Sequence, residues 1–469
     1  MPIGARHAAV RAAGKAPAVR GRLEAELGQV IAEASHRFNV PGIAVALISG
    51  DDELTATTGV TSVENPLPVD ADTLFKIASI TKPVTGTALM KLVELGRLDF
   101  DAPLRSYLPD LRLADEDAAA HVTMRHVVTH RVGLSSRAKD FGTGDDALAR
   151  WTAHLADLPQ RAKLGELFCY SWDFQLTGRV IEVLTGKSYE DAMRELVLGP
   201  LGMTRSCFFA KDAITYRVAA GHDLKDGTAQ VVRPWPETRS GHPSGGMLST
   251  ANDLTRFMRL HLGLPVSEGA DRLLLDESIA FMASALTPEG THGVTWWRHQ
   301  VDGLPVIEHA GGYPGFLAEL VLVPARRFGV AVLTNITRTG YQHRVPEIDV
   351  VSGDIVAWAL SAYLDLHPRG DTPLELTANE LSAYAGKYVG ELGEVDLSVG
   401  DGHLVVTRRA TGPDISAPSP YRLAFYEADK VFHLDGADKD TRGAFVRDDR
   451  GDVAWFRASV PEIYRRQGA

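Results

Sequence analysis

The stretch 75–96, FKIASITKPVTGTALMKLVELG, runs from a short apolar lead-in into a helix and carries Ser79-Ile80-Thr81-Lys82 at the junction. Val84, Ala88, Leu92 and Leu95 repeat at helical spacing until Gly96 ends the pattern. Pro83 falls in the first turn, where no internal N–H donor is needed. Residues three apart on a helix share a face, with Cβ atoms about 5–6 Å apart, so the Lys82 amine can reach the Ser79 hydroxyl. A nucleophile and a base meet there. The tetrad is weak evidence alone, since Ser136-Arg137-Ala138-Lys139 is a second copy. That copy follows Gly133, precedes Gly142 and Gly144 and has no apolar periodicity behind it, so it reads as a surface loop. A lysine at its reference pKa of about 10.4 is neutral in only a few molecules per ten thousand at pH 7, a handicap of roughly 4–5 kcal/mol for a base. Burial and a neighbouring phenol reduce it, because a Lys–Tyr pair can share a proton and titrate as a unit. Tyr170 is the candidate phenol.

On the N-terminal side, 42–50 (GIAVALISG) and 53–60 (ELTATTGV) are β-rich runs separated by Asp51-Asp52, a hairpin signal. From about 76 to 265 the pattern is mostly helix and loop. Residues 304–310, 317–323 and 329–334 are three further strand candidates joined by Gly- and Pro-containing turns. The segment 365–375 (DLHPRGDTPLE) has the composition of an interdomain linker. Beyond it, short β-rich runs alternate with turns at Asp401-Gly402, Asp435-Gly436 and Arg450-Gly451, the pattern of a separate all-β barrel or meander. The expected organisation is a mobile segment 1–27, an α+β domain 28–364, a linker 365–375 and an all-β domain 376–469.

Several stretches together resemble the class C β-lactamase, DD-peptidase and esterase family of penicillin-recognising serine enzymes. Phe75-Lys76-Ile77-Ala78 leads into Ser79 and Lys82, and 122–136 (VTMRHVVTHRVGLSS) resembles the family's helix-and-loop segment through Arg125, His126, Thr129, His130, Gly133 and Leu134. Tyr170-Ser171 resembles its Tyr-x-Asn element, 243–257 (PSGGMLSTANDLTRF) its Gly-Gly turn, and His309-Ala310-Gly311-Gly312 its His/Lys-x-Gly strand. The resemblance covers about 35–365, and 381–406 is similar to the lipocalin-like domain appended to many members. It implies an antiparallel sheet flanked by helices, with a helical subdomain, followed by a lipocalin-like barrel. It further implies Ser79 as acyl-accepting nucleophile, Lys82 and Tyr170 as proton carriers, His309 as a site-holding residue, and an oxyanion hole from the N–H groups of Ser79 and Gly312. No metal or cofactor is implied. Gly311, Tyr313 and Trp172 are expected at the substrate, with Trp235 and Phe316 as further aromatic candidates for an acyl pocket or for core packing. Trp172 stands two after Tyr170, where β-lactamases and DD-peptidases usually have Asn; the interval to Gly178 is one residue short, so Ser171 is the alternative occupant of that place.

Composition narrows the partners. Forty-five per cent apolar and 23% charged residues are ordinary for a globular protein, and 49 basic against 60 acidic residues give a net charge of −11, which argues against nucleic acid and anionic membrane partners. Only Cys169 and Cys207 are present, without the spacing of a zinc or redox site, which suits a reducing compartment. The first 27 residues are Ala/Arg-rich, with no acidic residue before Glu24 and no apolar core of the signal-peptide kind, so a cytoplasmic location is expected, a transit peptide being the alternative. His126 and His130 stand four apart, but Val127 occupies the place of the Glu in a zinc H-E-x-x-H motif. No G-x-S-x-G elbow or phosphate-binding loop is present. The expected activity is hydrolysis, through a Ser79 acyl-enzyme, of an ester, amide or thioester in a small-molecule or peptide acyl substrate; acyl transfer to an amine, as in peptide cyclisation, and a non-turnover sensor are the alternatives. The sequence does not indicate the oligomeric state.

Overall fold

The computed structural model describes all residues except 1–16, 136–138, 236–237, 267–271, 339–345, 369, 371, 392, 410–418, 437–438, 440, 459–461 and 469. The first described element is a long helix, α1 (Pro17–Phe38), which takes in residues 17–27 of the segment expected to be mobile. Leu23, Leu27 and Ile31 repeat every four residues on one face of α1 and are buried.

A six-stranded antiparallel sheet organises the first part of the chain. Its strands are β1 (Gly42–Ser49), β2 (Asp52–Gly59), β3 (Trp297–Val301), β4 (Leu304–Tyr313), β5 (Phe316–Val323) and β6 (Phe328–Thr334), in the order β2-β1-β6-β5-β4-β3. The expected 42–60 hairpin and the three later strand candidates are thus neighbours in one sheet. Both faces of its centre are covered, so β1 and β6 read as continuous apolar runs. Ile43, Val45 and Leu47 of β1 pack with Leu27 and Ile31 of α1 and with Val351, Ile355 and Ala359, which lie in a helix spanning Pro346–Leu364. Ala44, Ala46 and Ile48 face the opposite way, into the large core shared with the helical region. The two-residue period of the strand explains the split. That second core takes in α2 (Thr81–Glu94), the helix read from 84–95, which is buried along nearly its whole length.

After the 365–375 segment, eight short antiparallel strands between Gly386 and Arg466 close into a barrel, the last pairing with the first through Tyr388 and Arg466. Asp401 and Gly402 both take positive φ, 47° and 76°, in a two-residue hairpin turn between paired Gly400 and His403. A turn of that hand matches strand twist and is the usual reason for an Asp-Gly pair. Tyr388, Phe425, Phe445, Phe456 and Leu423 fill the interior, as eight-stranded barrels of this width allow. Among the described residues no helix is long and apolar enough to cross a membrane.

The barrel is docked on the α+β domain through the segment before Tyr170. Ala162, Leu167 and Cys169 pack on Ala454 and Trp455. Trp455 Nε1 donates to Glu166 Oε1 (2.9 Å), and Arg161 donates to the Ile463 carbonyl (3.1 Å) and pairs with Glu391 (3.1 Å).

Candidate active site

Ser79 stands at a forced bend. Phe75–Lys76 pairs with Leu248–Ser249, and the Ile77 N–H donates to the Met247 carbonyl (3.1 Å). Ala78 then takes φ +47°, a left-handed conformation that costs a non-glycine residue energy and is found where surrounding structure enforces it. The enforcing contacts are visible: Thr81 Oγ1 donates to the Ala78 carbonyl (2.6 Å) and accepts from the Met247 N–H (3.2 Å). Ser79 is the middle residue of the short 3-10 turn Ala78–Ile80 that runs into α2, and Lys82 follows one turn later.

The expected hydroxyl–amine–phenol cluster forms around Ser79. Lys82 Nζ donates to Ser79 Oγ (3.2 Å) and to the Ser244 carbonyl (2.8 Å), and Tyr170 OH donates to Ser79 Oγ (3.0 Å). The ammonium carbon stem is enclosed, and Nζ lies 4.7 Å from the Tyr170 ring centre and 5.4 Å from that of Phe174. Burial brings the Lys82 pKa down to about 7, against an upward pull from Asp173. Half the amine is therefore neutral at pH 7, which removes most of the handicap of an ordinary lysine.

The C-terminal half of β4, the strand next to the sheet's edge, lies against the nucleophile. A Cβ on Gly311 would collide with the Ile77 carbonyl and lie 3.1 Å from Ser79 N, so only glycine lets β4 approach this closely. Gly312 is the next residue along the strand. His309 is buried, and its Nδ1 hydrogen-bonds the Ala310 carbonyl (2.7 Å). A carbonyl only accepts, so Nδ1 carries the proton and Nε2, buried with no hydrogen-bond partner among the described residues, presents its lone pair. Burial first, and Lys82 second, take the His309 pKa down to about 3, so the ring is neutral. Tyr313 sits against Lys76, whose Nζ is 4.6 Å from its ring centre and 5.8 Å from that of Trp235. Phe316 and Trp235 meet edge to face at 6.1 Å.

The Tyr-x-Asn place is filled differently. Trp172 opens a 3-10 turn (Trp172–Phe174), with its ring against Gly241. Among the described residues neither Trp172 nor Ser171 hydrogen-bonds to Ser79 or Lys82. Gln175 is the amide in this region, and its Nε2 donates to Ser244 Oγ (2.8 Å), one residue's side chain away from the carbonyl that holds Lys82. Asp173, which sequence reasoning missed, is fully buried beside the cluster, and burial pushes its carboxyl up to about 7.

His130 proves to support Tyr170. Its carbonyl accepts the Cys169 N–H (2.7 Å), and its ring lies 4.4 Å from that of Tyr170. Burial, helped by Lys82, lowers its pKa well below the usual histidine value. His126 instead caps the helix Met124–Val128 in a reciprocal bond pair with Thr123. Cys169 is buried, with its thiol pushed up to about 12, chiefly by burial, which leaves it inert as a nucleophile. Among the described residues no group of His, Cys, Asp and Glu is gathered as a metal site. Ser136, Arg137 and Ala138 of the second S-x-x-K copy lie outside the described residues.

One further residue enters from the barrel. Arg457 places its guanidinium 5.2 Å over the Phe168 ring, next to the stacked pair of Phe168 and His292 (4.4 Å) and to Trp297 (5.3 Å from Phe168). Among the described residues this guanidinium makes no hydrogen bond or ion pair. Nothing in the local sequence marks it, since its position depends on the docking of two domains.

Comparison with known proteins agrees with this architecture. The family model Beta-lactamase matches residues 27–350. Penicillin-binding protein 4 of Amycolatopsis lactamdurans is 33% identical over 311 residues, covering 63% of this chain and 81% of that protein. Unguisins hydrolase ungD of Aspergillus violaceofuscus is 23% identical over 447 residues, covering 82% and 79%. The crystal structure of SurE superposes with a TM-score of 0.74 at 25% identity over 95% of this chain and 100% of SurE, so the likeness takes in the barrel.

Proposed function

The chain belongs to the β-lactamase family of penicillin-binding-protein-type serine hydrolases, and on that premise we propose that it hydrolyses an ester, amide or thioester through an acyl-enzyme on Ser79. The observation that carries the reading is the convergence of a half-neutral Lys82 (3.2 Å) and the Tyr170 hydroxyl (3.0 Å) on one oxygen, Ser79 Oγ. Lys82 takes the Ser79 proton as Oγ bonds to the acyl carbon. The carbonyl oxygen, now negative, is held by the N–H groups of Ser79 and Gly312, each such donor being worth about 10²–10³ in rate. The bond to the leaving group then breaks, and Tyr170, resupplied by Lys82, protonates the departing atom. Water repeats the sequence on the acyl-enzyme, releasing the acid and restoring Ser79. Neutral His309 lines the sheet side of the cleft without adding a charge.

The departures from the family pattern narrow the substrate. Trp172 at the usual Asn place offers one donor and no acceptor, so an amide pair of a peptide or β-lactam loses its usual partner; an ester or thioester loses less. The unpaired Arg457 beside Phe168, His292 and Trp297 favours a substrate with a carboxylate some distance from the scissile bond.

The test is steady-state hydrolysis of a short p-nitrophenyl ester by the purified chain beside Ser79→Ala, with and without an added amine as acyl acceptor. Loss of a nucleophile removes as much as about 10⁶ in turnover. Equal rates for both proteins would sink the proposal. Amide product in place of acid, when the amine is present, would shift the activity to acyl transfer.

A further inference from the structure

The carboxylate whose charge bears on Lys82 is weakly held by the fold: among the described residues only the Ser171 hydroxyl and the Phe174 N–H lie against it. Asp173 is fully buried on the 3-10 turn Trp172–Phe174, between Tyr170 and Phe174, the two residues whose rings cover Lys82 Nζ. An Asp at the start of a helix ordinarily caps it, yet neither the 3-10 turn nor the following helix Gln175–Thr185 has a side-chain cap. Both carboxylate oxygens are enclosed, and among the described residues neither accepts a hydrogen bond of good geometry. A buried carboxyl in that condition destabilises a fold, and such groups collect at functional sites.

We propose that Asp173 is the buried counter-charge of Lys82, a positioning residue that stabilises the ammonium formed when Lys82 takes the Ser79 proton. The inference rests on the acyl-enzyme reading above. Lys82 faces Ser79, Tyr170 and the Ser244 carbonyl, and the neutral imidazoles of His130 and His309 lie within its field. Asp173 is the one carboxylate that acts on it among the described residues. Asp173 in turn faces Lys82, the Ser171 hydroxyl, the Phe174 N–H and the Cys169 thiol, and at the pH of turnover only Lys82 among these carries charge. The proton balance is closed: Ser79 loses one proton, Lys82 gains it, and the new positive charge is opposed by Asp173 once its own carboxyl, which burial pushes up to about 7, is ionised. The arrangement parallels the general use of a buried carboxylate behind a proton-accepting base.

The sign of the effect follows. A carboxylate beside an amine raises the amine's pKa, by about one to three units at a few ångströms. Removing it moves the acidic limb of kcat/KM to lower pH, and lowers the plateau because the ammonium of the transition state loses its partner. The experiment is the pH profile, from pH 5 to 9, of both p-nitrophenyl ester hydrolysis and Ser79 labelling by a fluorophosphonate, for the full chain and for Asp173→Asn. The expected result is a limb displaced downward by about one unit or more, in both readouts, with a plateau reduced at least about ten-fold. A limb that stays in place, whatever the plateau does, overturns the proposal, since a merely structural Asp173 would lower activity without moving it. If the amide variant does not fold, Asp173→Leu fills the same space without polar atoms and gives the same readout. Failure of both to fold makes Asp173 structural and also overturns it. A wild-type chain whose Ser79 is never labelled overturns the acyl-enzyme reading first; labelling with an unmoved limb overturns only this one.

Discussion

Changing pH is the most direct perturbation of the Ser79 cluster, because the Lys82 amine should titrate close to neutrality. At its ordinary value of 10.5 the amine would be neutral in roughly three molecules per ten thousand at pH 7, whereas at about 7 it is neutral in half of them. The difference is roughly a thousandfold in competent enzyme, or about 4 kcal/mol at 1.36 kcal/mol per unit. The sign is that of a base with a lowered pKa: the proton is lost above about 7, so activity is gained as pH rises. The expected profile of kcat/KM rises about ten-fold per unit below pH 6, reaches half its maximum near 7 and is level by pH 8. Initial rates of p-nitrophenyl ester hydrolysis, with the Ser79→Ala rate subtracted at each pH, measure it. Two results refute the reasoning. A slope of one that continues to pH 9 would mean a solvated lysine. A limb near 3 would hand the base role to His309, whose ring titrates there.

Two further substitutions probe the site from its two sides. Gly311→Ala brings a methyl group onto the Ile77 carbonyl, which has no room to yield because the Ile77 N–H is tied to Met247; kcat should fall about 10²-fold from a displacement near 1 Å, with a lower melting temperature, and unchanged kcat would show that β4 does not set the Ser79 geometry. Arg457→Gln should weaken kcat/KM about ten-fold or more for an ester carrying a remote carboxylate and leave a neutral ester unaffected; equal losses on both would mean that Arg457 only holds Phe168.

What the sequence disclosed and what it concealed divide along a physical line. Ser79 and Lys82 were legible because their contact is set by helix geometry within four residues, and Gly311 because the stretch His309-Ala310-Gly311-Gly312 resembles the family's His/Lys-x-Gly strand. The sheet was legible from the period of its strands. Asp173 and Arg457 were not, because a carboxylate is ordinary on a surface turn and a guanidinium is ordinary on a strand; only the burial of one and the interdomain seating of the other make them unusual. The first helix had a visible signal in Leu23, Leu27 and Ile31, but the Ala/Arg bias of the preceding residues drew attention from it. His130 was noted as part of the resemblance, yet its work, propping the Tyr170 ring and tying down Cys169, depends on a chain reversal at its positive φ of 56° that no spacing rule supplies.

On the proposed mechanism the barrel bears on catalysis through Tyr170 as much as through Arg457. Ser79 and Lys82 are fixed within one buried helix, but Tyr170 comes from an extended segment with few backbone partners of its own. That segment is held on one side by His130 and on the other by barrel residues, through Trp455 on Glu166, Arg161 on the Ile463 carbonyl and the packing of Leu167 and Cys169 on Ala454. A hydrogen bond of 3.0 Å to Ser79 Oγ tolerates little drift, since such bonds weaken steeply with distance and angle. The barrel therefore braces the segment that leads into Tyr170. Because it clamps the residues just before Tyr170 while seating Arg457 over Phe168, loosening the docked interface would, on the proposed mechanism, disturb proton transfer and substrate placement together, although neither Ser79 nor Lys82 would have moved.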